Sequence, residues 1–131
     1  MYKRQPEFDL TNDNIVRFEA LARWNHPDMG TVSPLSFIPV AEESGLIIPL
    51  GESIMEKACR DAAGWQQEAG REIQVAVNVS SVQFAQSTFV GGVREILRRT
   101  GLRPELLQIE LTESATLMGI DRCLLYTSRC V

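Results

Sequence analysis

The chain has 131 residues, 44% hydrophobic and 23% charged, with a formal charge of −4. That is enough length for one domain with a real core, and the negative balance argues against a nucleic-acid surface held by charge alone. No run of 18 apolar residues suggests a membrane span, and Met1–Gln5 lacks the apolar stretch of a signal peptide, so a cytoplasmic location is expected.

Phe8-Asp9-Leu10 reads as a short first strand and Thr11–Asn14 as turn material. Val16–Ala22 alternates, with Val16, Phe18, Ala20 and Ala22 on one face and Arg17, Glu19, Leu21 and Arg23 on the other. Asn25–Thr31, with Pro27, Asp28 and Gly30, reads as a loop. Ser33-Pro34 opens a helix that runs to about Ser44, with Gly45 closing it. A longer helix is predicted from about Gly51 to Ala69, with Ile54, Met55, Ala58, Cys59, Ala62, Trp65 and Ala69 as its apolar stripe and Gly70 after it. Ile73–Ser80 alternates again: Ile73, Val75, Val77 and Val79 oppose Gln74, Ala76, Asn78 and Ser80. Phe89–Thr100 reads as a helix closed by Gly101, and in the last strand Leu107, Ile109 and Leu111 oppose Gln108, Glu110 and Thr112. Strands separated by helical crossovers predict an α/β fold with a parallel sheet, and the polar residues lie near the C-terminal strand ends where barrel active sites form.

Glu19, Asn78 and Glu110 each place one oxygen-bearing side chain on the polar face of a strand. Such oxygens suit Mg²⁺ or Mn²⁺, which would in turn suit phosphate-ester chemistry. One histidine and no Cys/His cluster exclude an ordinary zinc site. Arg23 lies on the face of Glu19 and can meet a phosphate; Glu113, three residues after Glu110, reads as an outer ligand or loop anchor. Spacing alone also allows these polar residues to be solvent-exposed or ordinary buried partners. Met55 and Trp65 read as core, His26 as a turn residue, Asp9, Asp13 and Asp61 as turn or surface acids, and Cys59 as a small buried hydrophobe.

The two ends stand apart. Cys123–Val131 matches a translation of transposon mosaic-end DNA, and Met1–Gln5 matches the same element read from the other side. The expected organisation is therefore residues 1–5 and 123–131 from a sequencing adaptor and residues 6–122 from a partial domain; the alternative is a genuine basic start and a Cys-containing tail. On the adaptor reading Cys123 and Cys130 are no metal or disulfide pair.

Phe18-Glu19-Ala20-Leu21-Ala22-Arg23-Trp24 resembles the signature of the EAL domain, a bacterial family of cyclic-di-GMP phosphodiesterases. Ser33–Pro39 with Ala41–Gly45, Ala58-Cys59-Arg60, Trp65, Val77–Ser80 and Glu110–Ser114 continue the resemblance in order through most of Pro6–Met118. It implies a (β/α)₈ TIM-like barrel of EAL type with an antiparallel strand near the N-terminus, here truncated to about its N-terminal half. It implies hydrolysis of cyclic di-GMP to linear pGpG with Mg²⁺ or Mn²⁺, in bacterial second-messenger signalling. Carried over by motif, Glu19, Asn78 and Glu110 would be metal ligands, Leu21 and Arg23 would contact substrate, and Glu113 would steady a catalytic loop. Gln5 falls where the family often has a substrate-contacting Gln, within the stretch assigned to the adaptor. The family's later motifs (Asp-Asp-Phe-Gly, the catalytic lysine, the last glutamates) do not occur, so the chain by itself is expected to be inactive and to melt without cooperativity. A complete domain would be expected to pair as a homodimer. The alternative function is a degenerate EAL domain acting as a cyclic-di-GMP receptor or an interaction module.

Overall fold

The computed structural model describes residues 2–8 and 15–111. In chain order these form β1 (Tyr2–Phe8), β2 (Ile15–Ala22), β3 (Trp24–His26), β4 (Gly30–Val32), α1 (Pro34–Ser44), α2 (Ile47–Ala69), β5 (Gln74–Val79), α3 (Ser81–Phe84), α4 (Phe89–Thr100), a 3-10 turn at Pro104–Leu106, and β6 (Leu107–Leu111). The main sheet has the order β1-β2-β5-β6. β1 runs antiparallel to β2, whereas β2, β5 and β6 are mutually parallel. Parallel neighbours require crossovers. Here α1 and α2 carry the chain from β2 to β5, and α3 and α4 carry it from β5 to β6.

The core lies between the sheet and its crossover helices. Val75, Val77 and Val79 of β5 are almost inaccessible and cluster with Met55, Ala58, Cys59 and Ala62 of α2 and Ile96 of α4. Leu107, Ile109 and Leu111 of β6 pack against the same cluster, and Phe18 of β2 meets Trp65 of α2 with ring centroids 4.5 Å apart. A β-branched run inside a parallel sheet with a helix on it is what this burial requires. Met55, Trp65 and Cys59 thus occupy the core positions expected of them.

The helix ends follow local chemistry. Ser33, in extended backbone, accepts a hydrogen bond from the Leu35 N–H, and Pro34 fills the first helical position. Gly45 ends α1 at φ 77°, where a side chain would be strained.

Four expectations change. The strand before β2 ends at Phe8 and begins at Tyr2, so it takes in residues 2–5; Asp9, Leu10 and the turn at Thr11–Asn14 lie outside the described residues. The segment read as a loop at Asn25–Thr31 is instead the β3–β4 hairpin, paired as Trp24 with Val32 and His26 with Gly30. Its turn is held by the His26 side chain, whose Nδ1 accepts from the backbone N–H groups of Asp28 (3.1 Å) and Met29 (3.3 Å). A hydrogen bond from Thr31 Oγ1 to Asn25 Oδ1 ties the two strands. α2 starts one turn early, at Ile47, because Ile47 is buried and Pro49 falls in the first turn, where a missing N–H costs nothing. α3 is too short for periodicity to predict; Ser80 and Gln83 form a reciprocal capping box that starts it.

Candidate active site

The face of the sheet opposite the core carries the polar set. Glu19 stands on β2 in register with Ala76 of β5, and two residues further along β5 Asn78 stands in register with Glu110 of β6. Neighbouring strands lie roughly 4.8 Å apart, so the three side chains rise from adjacent positions on three consecutive strands. Asn78 Nδ2 donates to Glu19 Oε1 at 2.9 Å, which leaves the Asn78 Oδ1 as an oxygen donor. Asn78 is exposed, and Glu19 and Glu110 are half-buried. Gln5 lies opposite Glu19 in the antiparallel register of β1.

Glu110 has neighbours that the strand pattern did not foretell. Arg17 Nη1 lies 3.4 Å from Glu110 Oε1 and donates to Gln108 Oε1 at 2.6 Å. Gln108 Nε2 in turn lies 3.5 Å from Glu110 Oε1. Alternation puts Arg17 on the polar face with Glu19, since the two are two residues apart; its reach across β5 to β6 depends on strand order, which alternation does not encode.

Leu21 and Arg23 lie further along the same chain segment. They line a cavity of about 550 Å³ together with Glu42, Ile54, Asn78 and Ser80, so the two expected substrate contacts and one expected metal ligand open onto one space. Arg23 also borders a second cavity, of about 990 Å³, between the hairpin and the helices α1 and α2. The floor of the first cavity is held by Gln83. Its side chain is buried, its Oε1 accepts from the Ser80 N–H at 3.1 Å, and its Nε2 occupies the space that a side chain at Gly51 would need. Ser80 and Gln83 therefore fix the backbone immediately after Asn78. The Ser-x-x-Gln spacing is the signal that identifies this support in the sequence. Glu113 lies outside the described residues.

Two carboxylates and an amide oxygen on one face match the ligand preference of a hard divalent cation. The chemistry of this donor set fits Mg²⁺ or Mn²⁺ and does not fit zinc. Among the described residues no group of three His, Cys, Asp or Glu side chains comes together, since the third donor here is an amide. Three such donors would leave a six-coordinate ion to keep waters or take substrate oxygens.

Comparison with known proteins places these observations in a family. The family model of the EAL domain matches residues 3–125. An uncharacterised signalling protein of Caulobacter vibrioides is 42% identical over 120 residues, which are 92% of this chain and 14% of that protein. The bifunctional diguanylate cyclase/cyclic di-GMP phosphodiesterase MucR of Pseudomonas aeruginosa is 38% identical over 120 residues, 92% of this chain and 18% of that protein. Among solved structures, the PaMucR phosphodiesterase in complex with c-di-GMP superposes with a TM-score of 0.91 at 36% identity, covering 98% of this chain and 52% of that one. The cGMP-bound EAL enzyme Bd1971 superposes at 0.85 and 29% identity, over 98% of this chain and 37% of that one. The chain thus spans about half of the MucR structure and a smaller share of the curated relatives. The antiparallel first pair, the parallel β2–β5–β6 run and the ordered motifs agree with these matches: the fold is α/β of the TIM-barrel-like EAL type, and the chain belongs to the EAL domain family.

Proposed function

We propose that this domain belongs to a metal-dependent phosphodiesterase that hydrolyses cyclic di-GMP to linear pGpG in bacterial second-messenger signalling. The observation that carries the reading is the convergence of Glu19, Asn78 and Glu110 on one sheet face, beside a cavity that Leu21 and Arg23 also line. Glu19 and Glu110 offer carboxylate oxygens and Asn78 an amide oxygen to Mg²⁺ or Mn²⁺. When bound, such an ion polarises a phosphoryl oxygen and lowers the pKa of a water. Arg23, at the mouth of the cavity, would hold a non-bridging phosphate oxygen by charge-assisted hydrogen bonds, and Leu21 would pack against the nucleotide. Asn78 orients Glu19 through their hydrogen bond. The capping box at Ser80 and Gln83 keeps Asn78 at a fixed height on β5.

Relatives support the substrate. MucR is a cyclic di-GMP phosphodiesterase by name, and its solved structure holds c-di-GMP. No helix among the described residues is long and apolar enough to cross a membrane. We assign the domain to the cytoplasm, where a diffusible nucleotide messenger would meet it. Glu113 would steady a loop beside Glu110.

The test is turnover of cyclic di-GMP by the whole parent protein, read as linear pGpG by chromatography. Chelation should stop it and Mg²⁺ or Mn²⁺ should restore it. Glu19→Gln should lower it by at least about 100-fold, beyond the loss typical of groups one step removed from a metal. Binding of cyclic di-GMP without turnover would make the domain a receptor; unchanged turnover in Glu19→Gln would remove Glu19 from the site.

A further inference from the structure

Arg17 has no part in the reaction just described, yet it sits against one of the proposed cation ligands. It rises from β2 two residues before Glu19, on the same face, and its register partner on β5 is Gln74. Its guanidinium reaches beyond β5 to β6, where Nη1 bonds to Gln108 Oε1 and lies 3.4 Å from Glu110 Oε1. The crossing passes near Ala76, which pairs with Glu19 on one side and Gln108 on the other and is wholly buried although it belongs to the polar face. The Arg17 and Glu110 side chains are 24% and 32% exposed, so their interaction is partly shielded from solvent and salt.

We propose that Arg17 sets the cation affinity of this site, and sets it low: it stands within ion-pair distance of one oxygen of Glu110 and places a positive charge beside the face on which Glu19, Asn78 and Glu110 converge. The inference rests on the cation reading given above. A divalent ion held by Glu110 would share that carboxylate with the guanidinium and would be repelled by it at short range. A partner of this kind supplies countercharge to Glu110 in the absence of a cation and must be outcompeted by one. Arg17 acts through Glu110 and needs no contact with substrate.

The experiment titrates Mn²⁺ alone into the full 131-residue chain and follows the free ion by electron paramagnetic resonance. Arg17→Met removes the charge but keeps an unbranched side chain; it should bind Mn²⁺ about 10-fold more tightly than the parent chain, a gain discounted for partial exposure. Arg17→Lys keeps the charge and should stay within about 3-fold of the parent chain. Arg17→Gln provides a second neutral variant if Arg17→Met does not fold by circular dichroism. In a Glu110→Gln background the gain from removing Arg17 should shrink, because the shared carboxylate is gone. Equal or weaker Mn²⁺ binding by the neutral variants overturns the inference while leaving the cation site in place. Failure of every variant and of the parent chain to bind Mn²⁺ overturns the cation reading as well.

Discussion

β5 shows two faces of opposite character within six residues. Val75, Val77 and Val79 are sealed against α2 and α4, while Asn78, one step along the strand, is exposed and bonded to Glu19 across the sheet. β6 repeats the contrast, with Leu107, Ile109 and Leu111 against the core and Gln108 and Glu110 on the other side. Stability and the proposed chemistry are therefore carried by alternate residues of the same strands. This has a physical use: the apolar face immobilises the backbone, so the polar face need not fund its own rigidity by packing. Ala76 breaks the pattern, being buried on the polar side, between Glu19 of β2 and Gln108 of β6.

The sharpest way to break this comparison is to put a charge on the wrong face. Val77→Asp should cost about 3–5 kcal/mol or more, since an unpaired carboxylate would be buried among Met55, Ala58 and Cys59. That is a large share of an ordinary domain's stability, so circular dichroism should show an unfolded chain. Gln74→Glu, at an exposed position on the other face of the same strand, should shift stability by no more than about 0.5 kcal/mol in the same measurement. Similar losses for both would end the division of labour between the faces.

A smaller effect tests the support under Asn78. A Cβ at Gly51 would come within 1.7 Å of Gln83 Nε2, and Gln83 is held by its bond to the Ser80 N–H. In the whole parent protein, Gly51→Ala should cost about 1–3 kcal/mol in urea unfolding. The double variant Gly51→Ala/Gln83→Ala should recover part of the clash cost but lose the capping box.

The smallest expected effect concerns the apolar face alone. Burial, with a minor push from the Glu56 charge, raises the Cys59 thiol from 9.0 to about 12. A folded-state value above the unfolded one means that the stabilisation is complete below pH 9 and declines as pH rises from 9 toward 12. Relative to Cys59→Ala, the whole parent protein should lose about 1 kcal/mol between pH 7 and pH 10 in urea melts. A flat difference across that range would show that Cys59 meets water in the folded state.

Much of the fold was legible because its determinants are local. Ser33-Pro34 and Gly45 bracket α1 through capping and backbone preference, and Gly70 and Gly101 close α2 and α4 in left-handed backbone. α4 and β6 occupy the residues that their periodicity indicates. The hairpin was not legible, since three-residue strands are too short to show alternation and its turn is set by a side chain, His26, folding back on the backbone. α3 escaped for the same reason of length.

For the site, alternation placed Glu19, Asn78 and Glu110 on polar strand faces, and the motifs beside them are specific enough to indicate the family. Period-two spacing is a property of one strand, so any sequence long enough to alternate declares it. Which strands become neighbours, and with what offset, is a property of the assembled sheet. Only the order β2-β5-β6 and its register bring Asn78 against Glu19, set Glu110 beside Asn78, and let Arg17 reach across β5 to Gln108 and Glu110. Those contacts join residues as far apart in the chain as Arg17 and Glu110, and no local preference can encode them.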